Sequence, residues 1–274
     1  MKITFLGGGN MANALIGGLR KQGYSAAGIQ VVEPVAELRD KLTDTYGVRC
    51  VDQVDAAALN CEVLVLAVKP QVMRDALAPI GGKLKDQLII SIAAGLRMDV
   101  LARWLGSAAA PYRKIVRTMP NTPALVSAGI TGLCADVSVD NESRDTAEKI
   151  ISAVGRSLWV SDEAKMDAVT AISGSGPGYV FYFIEALEKA AADLGFDAET
   201  ARLLAVETFV GSAKLAASTD DPISLLRERV TSKGGTTAAA LDSFAADGVA
   251  QAIIKGAHAA EARGKELCDI LGAE

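Results

Sequence analysis

The sequence predicts a two-part fold: an α/β part with a mainly parallel sheet over residues 1–161, then an all-α part over residues 162–274. Three observations predict it. Short apolar runs alternate with helical patterns from Ile3 to Val160, three glycines crowd the first strand-to-helix turn, and from Asp162 onward only helical spacing remains. The length of 274 residues agrees, since about two domains of roughly 150 residues fit it.

The first strand is Ile3 to Leu6, followed by Gly7, Gly8 and Gly9 and a helical pattern from Asn10 to Gly23. Gly7, Gly9 and Ala12 stand at G-x-G-x-x-A spacing. Gly7 allows the tight turn, Gly9 has no side chain to keep a pyrophosphate from the backbone, and Ala12 lets the helix lie close to the strand. The helix start then offers N–H groups and a positive dipole end to phosphates. A glycine turn can also be purely structural, so the motif needs its context. That context follows in Ile29 to Glu33, a second strand ending on a carboxylate about 20 residues beyond the glycines, where a dinucleotide fold binds the adenosine ribose. The first part therefore reads as a Rossmann-type dinucleotide-binding domain.

A helix is expected over Val35 to Tyr46, with strands at Val48 to Val51, Glu62 to Val68, Gln87 to Ala93, Lys114 to Thr118, Gly129 to Ala135 and Ser157 to Val160. Continuous apolar runs such as EVLVLAV suit strands buried on both faces. Pro70 suits the first position of a helix, and another helix is expected from about Asn141 to Val154. Ligands of an open parallel sheet bind outside the carboxyl ends of its strands. Gly7 to Gly9, Glu33, Ala67 to Pro70, Ala93 to Gly95 and Pro120 to Thr122 should thus line one edge. Each also fits an ordinary tight connection, and Lys69 also fits a solvated charge.

Past Asp162 the helices break at SGSGP (173–177), Asp220-Asp-Pro222 and Lys233-Gly-Gly235. Pro177 suits a first helical turn, with Ser175 or Gly176 near the cap. The helix after it gathers Tyr179, Phe181, Tyr182 and Phe183, apolar in almost every direction, so it needs cover all round. A second subunit would supply it, although neighbouring helices of the same chain are an alternative. The helix Val249 to Leu271 carries the one histidine, His258, among alanines and with no Ser-His-Asp or Cys-His arrangement. Chemistry is better placed in Thr231 to Thr237, where glycines admit a small molecule, a helix start offers N–H groups to a carboxylate, and hydroxyls add directed hydrogen bonds. Thr236 or Thr237 as a plain helix cap is the competing reading.

Composition excludes other classes. Half the residues are apolar, 22 % are charged, and the net charge is -5 without a like-charge block, which argues against nucleic acid or an anionic membrane as partner. Apolar stretches fall short of the roughly 18 residues of a membrane span. Met1 and Lys2 run straight into the first strand, leaving no room for a signal peptide. Cys50, Cys61, Cys134 and Cys268 are scattered, which fits reduced thiols in the cytoplasm and no metal site.

Six motifs together, GGGNMA (7–12), AVKP (67–70), AAG (93–95), MPNTP (119–123), SGSGP (173–177) and TSKGGTT (231–237), resemble those of pyrroline-5-carboxylate reductases. SGSGP and the GGTT loop are the specific ones. The resemblance implies NAD(P)H-dependent reduction of 1-pyrroline-5-carboxylate to L-proline, the last step of proline biosynthesis. It also implies a helical domain that intertwines two subunits, building larger rings in some members. Carried over, Leu6, Gly7, Gly8, Gly9, Asn10, Met11, Ala12, Ala67, Val68, Lys69, Pro70, Ala93, Ala94, Gly95 and Asn121 would contact the cofactor. Ser175, Ser232, Gly235, Thr236 and Thr237 would hold the substrate, with Thr237 the catalytic hydrogen-bonding group at the ring nitrogen. NADPH is usual for the family, but Glu33 stands where many relatives carry a small polar or basic residue. A carboxylate there implies that NADH is tolerated or preferred, with Arg39 as a compensating charge. Gly178 replaces a usual alanine and slightly loosens that helix start. A related β-hydroxyacid dehydrogenase would need a lysine within Tyr179 to Ile184, where none stands, and a non-catalytic nucleotide-binding protein would not need TSKGGTT.

Overall fold

The computed structural model describes residues 1–273. The chain runs through β1 (Ile3–Leu6), α1 (Asn10–Lys21), β2 (Ile29–Val32), α2 (Ala36–Tyr46), β3 (Arg49–Val51), the single turn α3 (Ala56–Leu59), β4 (Val63–Leu66) and α4 (Pro70–Leu77). It continues through β5 (Leu88–Ser91), α5 (Met98–Leu105), β6 (Ile115–Met119), β7 (Gly129–Ala135), α6 (Asn141–Ile151), β8 (Gly155–Trp159) and α7 (Lys165–Val169). These strands form one sheet in the order β3-β2-β1-β4-β5-β6-β7-β8. All neighbours from β3 to β6 are parallel, β7 is antiparallel to β6, and β8 is parallel to β7. A parallel pair needs a crossover of a dozen or so residues, and the link from β6 to β7 holds only a short 3₁₀ turn at Thr122–Val126. The strand order reverses between β1 and β4, which opens a crevice at their carboxyl ends.

Side chains alternate across each strand, and here both faces are covered. Ile3 and Phe5 of β1 and Val63 and Val65 of β4 pack with Leu15, Ile16 and Leu19 of α1 and with Ile150 and Ile151 of α6. Leu6, Leu64, Leu66 and Ile89 face the other layer, with Met73 and Leu77 of α4 and Leu101 and Leu105 of α5. The last expected strand starts two residues earlier than its pattern, at Gly155. Gly155 has φ +151°, and a Cβ on it would lie 2.0 Å from the Gly129 carbonyl oxygen, so the pairing of these two glycines leaves no trace of side-chain alternation.

The chain divides into two compact units, Met1–Ser175 with the chain from Ala260 onward, and Gly176–Ala259. The second is helical, with α8 (Gly176–Asp193), α9 (Ala198–Ala217), α10 (Ile223–Arg229), α11 (Thr236–Ala246) and the first turns of α12 (Val249–Gly272). Asp197 caps α9 by accepting the Thr200 N–H at 2.8 Å, which sets the turn from α8. Within this unit α8 buries none of its side chains, and Phe181 and Tyr182 are 63 % and 71 % exposed. Its own chain does not supply the cover that an all-round apolar helix needs.

Candidate active site

The glycine turn separates three jobs that sequence spacing treats alike. Gly7 has φ +102°, and a Cβ on it would lie 2.8 Å from the Ala67 carbonyl carbon and oxygen. Gly7 donates to the Val32 carbonyl and Ala67 to the Leu6 carbonyl, both at 2.8 Å, which holds the turn over the ends of β1, β2 and β4. Gly8 is packed under Leu42 and Glu33. At Gly9 a Cβ would meet nothing within 4 Å, and this residue caps α1 without a side-chain hydrogen bond. The start of α1 therefore carries no side chain at its cap to keep a pyrophosphate from the first N–H groups of the helix. Leu6 and Ala12 are buried and shape the turn, while Asn10 is exposed at its rim. Replacing Gly9 by valine fills that space without touching the core. The expected result is about a tenfold weaker cofactor affinity, ~1.4 kcal/mol, with an unchanged melting temperature; tight binding by Gly9→Val would show that the phosphates lie elsewhere.

Glu33 closes the end of β2. It is 6 % exposed, and its two carboxylate oxygens are both engaged: Oε2 accepts the Gly8 N–H at 2.8 Å and Oε1 the Val35 N–H at 2.9 Å. Arg39 Nη1 donates to the carbonyls of Glu33 and Pro34, both at 2.8 Å, which fixes a cation beside the same turn. Each carboxylate oxygen has a second lone pair, so ribose hydroxyls can still be accepted. The acid expected to bind ribose thus also anchors the phosphate turn.

The other expected loops follow their strands at the same edge. Pro70 opens α4 with Lys69 as an exposed cap, Val68 and Ala67 are half-buried, and Ala93 is buried beside exposed Ala94. Gly95 has φ +74°, the left-handed region that glycine tolerates. Asn121 is buried and spans two segments: its Oδ1 accepts the Ile130 N–H at 2.9 Å and its Nδ2 donates to the Ser173 carbonyl at 3.1 Å. Four residues beyond Ser173 stands Pro177, which has no N–H to give that carbonyl, and Asn121 supplies one instead. The Ser175 N–H bonds back five residues to Thr170 at 2.8 Å, making Thr170–Gly174 a π-helical turn, a feature frequent at functional sites.

In the helical unit the hydroxyl loop leads into α11. Gly234 has φ +70°, the Gly235 N–H bonds back to the Ser232 carbonyl at 3.0 Å, and Gly235 is the cap, without a side-chain bond. Neither Thr236 nor Thr237 caps the helix, which overturns the plain-cap reading for both. They are its first two residues, where N–H groups and hydroxyls stand together at the positive end of the helix dipole. Ser232 is exposed and Thr237 half-buried. Among the described residues no group of three or more His, Cys, Asp or Glu could hold a metal ion, and no helix is long and apolar enough to cross a membrane.

Comparison with known proteins identifies the family. Residues 163–267 match the model for pyrroline-5-carboxylate reductase dimerisation, and residues 2–95 that for coenzyme F420-dependent NADP oxidoreductases. A pyrroline-5-carboxylate reductase of Pseudomonas aeruginosa is 44 % identical over 272 residues, 99 % of this chain and 98 % of the relative. The chain belongs to the pyrroline-5-carboxylate reductase family. A reductase of this family from Coxiella burnetii, 40 % identical, superposes with a TM-score of 0.90 over 97 % of this chain and 98 % of its own. The pyrroline carboxylate reductase of Plasmodium falciparum, solved with NADP bound, is 29 % identical with a TM-score of 0.86, over 98 % of both chains.

One cluster beside this family's sheet was not expected from motifs. Arg117 of β6, 3 % exposed, pairs with Glu163 at 3.0 Å and Asp167 at 3.6 Å, and its Nη2 reaches Cys268 Sγ at 3.8 Å. The available signal was a charge inside the apolar run Lys114 to Thr118.

Proposed function

We propose that this chain reduces 1-pyrroline-5-carboxylate to L-proline with NAD(P)H as reductant, as its family membership implies. The start of α11 carries the reading: a glycine cap leaves two threonines and the N–H groups of a helix end available to an anionic, imine-bearing substrate. When bound, the nicotinamide supplies a hydride to the imine carbon. The helix N-terminus at Gly235 and Thr236 suits the substrate carboxylate, with Ser232 as a further hydroxyl donor. Thr237 would hydrogen-bond the ring nitrogen. An imine is more basic than a ketone and can arrive protonated, so C=NH⁺ plus hydride gives CH–NH without a strong protein acid. Two bonds would break, the donor C–H of the reduced nicotinamide and the carbon–nitrogen π bond, whose electron pair stays on nitrogen, and one C–H bond would form on the imine carbon. Gly7 to Gly9, Ala67 to Pro70 and Ala93 to Gly95 would hold the dinucleotide, and positioning supplies most of the acceleration.

Loss of NAD(P)H absorbance on mixing with pyrroline-5-carboxylate tests the assignment, and an absence of turnover with either cofactor would overturn it. The buried Glu33 supports acceptance of NADH, and the NADP bound to the Plasmodium relative supports room for the 2′-phosphate in this fold. The division at 161/162 is proposed as the boundary between cofactor and dimerisation parts, supported by a dimerisation match that starts at residue 163. A homodimer is the proposed unit, with larger rings built from it as in some relatives. The bare apolar surface of α8 favours it, and light scattering should give at least twice the chain mass of 28.4 kDa; a monomer at micromolar concentration would contradict it. Four free cysteines support a cytoplasmic location, which cell fractionation would check.

A further inference from the structure

The last turns of α12 lie against the loop that follows β5. A Cβ on Gly95 would stand 3.0 Å from Leu271 Cδ1 and 3.7 Å from Leu267 Cβ, and one on Gly272 would stand 3.3 Å from Val100 of α5. Leu271 is part of the core layer that holds Ala93 and Leu96. Arg97, the cap of α5, pairs with Asp269 at 2.9 Å. Deeper in, the Cys268 thiol donates to Asp167 at 3.4 Å beside Arg117, and Glu163 accepts both Arg117 at 3.0 Å and the Met98 N–H at 2.7 Å. Burial pushes the Cys268 thiol up, which keeps it a donor to that carboxylate. Within the loop, Ala93 is buried, its N–H makes a long bond of 3.4 Å to Ser91 Oγ, and Gly95 has no side chain of its own to pack.

We propose that the last turns of α12 are a strap that positions Ala93 to Gly95 for the cofactor, with Leu271 as the positioning residue and the Arg117–Glu163–Asp167–Cys268 cluster as its anchor. The proposal rests on the reading of that loop as a cofactor contact. Remove the Leu271 side chain, and Gly95 loses the surface that defines its left-handed turn while the sheet beneath it stays intact.

Titration of the full chain with NADH, followed by calorimetry without substrate, tests this. Leu271→Ala should weaken NADH binding about tenfold, ~1.4 kcal/mol, while the KM for pyrroline-5-carboxylate and kcat at saturating NADH stay within about twofold. Leu271→Met, similar in volume, should restore binding. A folded Leu271→Ala protein that binds NADH like the parent, or Leu271→Met failing to restore it, overturns the strap. Should Leu271→Ala not fold, Asp269→Asn removes only an exposed ion pair and should weaken NADH about twofold; unchanged binding there also overturns it. A parent protein that binds NADH yet never turns over pyrroline-5-carboxylate sinks the assigned reaction and leaves the strap standing, and one that binds neither NADH nor NADPH sinks both.

Discussion

Thr237→Ala should lower kcat/KM for pyrroline-5-carboxylate by about a hundredfold, the usual loss when one preorganised donor is removed from a reacting centre. The fold should not notice. α11 is capped by Gly235 without any side-chain bond, so no helix end depends on the Thr237 hydroxyl. Alanine is also the better helix former, and the stability change should stay within about 0.5 kcal/mol. Thr237→Ser keeps the hydroxyl and should recover most of the rate, whereas Thr237→Val keeps the shape and should not. Thr236→Ala is expected to act mainly on substrate KM, because the first helical position faces the carboxylate in the proposed pose. Steady-state kinetics on the four variants, with melting curves beside them, separate these roles. Unchanged kinetics in Thr237→Ala would remove that residue from the mechanism.

Why the sheet was readable and the site only half so has a physical explanation. A strand covered on both faces, such as Val63–Leu66, must be apolar at every position, so it announces itself. Its ends do not: the expected run Glu62 to Val68 is longer than the observed strand because Ala67 makes one last bond to the Leu6 carbonyl and then turns away. α5 lacks a start signal, since its cap is Arg97 with no side-chain bond. The spacing of Gly7 and Gly9 was legible, but not that one would collide with Ala67 and the other would meet open space. Asn121 was legible as a loop residue of the MPNTP motif, yet its bond to Ser173 answers a carbonyl that a later proline leaves without an N–H, and its bond to Ile130 reaches nine positions along the chain. Arg117 finds its partners 46 and 151 positions along the chain, in the carboxylate of Glu163 and the thiol of Cys268, separations that no local pattern reports.

Glu33 should decide the cofactor, and by two effects that different substitutions can pull apart. A 2′-phosphate placed near this buried carboxylate meets like charge. At about 4 Å and an effective dielectric of about 20, the interaction costs ~4 kcal/mol per pair of unit charges. Arg39, held 2.8 Å from the Glu33 and Pro34 carbonyls, offsets part of that, so a net preference for NADH of about tenfold in kcat/KM is expected, ~1.4 kcal/mol. Glu33→Ser removes the charge and should favour NADPH by about a hundredfold relative to the parent protein. It also strips the acceptor from the Gly8 and Val35 N–H groups, and leaving a buried donor unpaired costs about 1–3 kcal/mol. NADH turnover and the melting temperature should therefore fall together in this variant. Glu33→Gln loses the charge but keeps one acceptor oxygen, so it should gain NADPH activity with a smaller loss of stability. The comparison of Ser with Gln thus reads repulsion of the phosphate separately from support of the glycine turn. A strong NADPH preference in the unmodified protein would mean that Arg39 outweighs the carboxylate, and that Glu33 serves the turn alone.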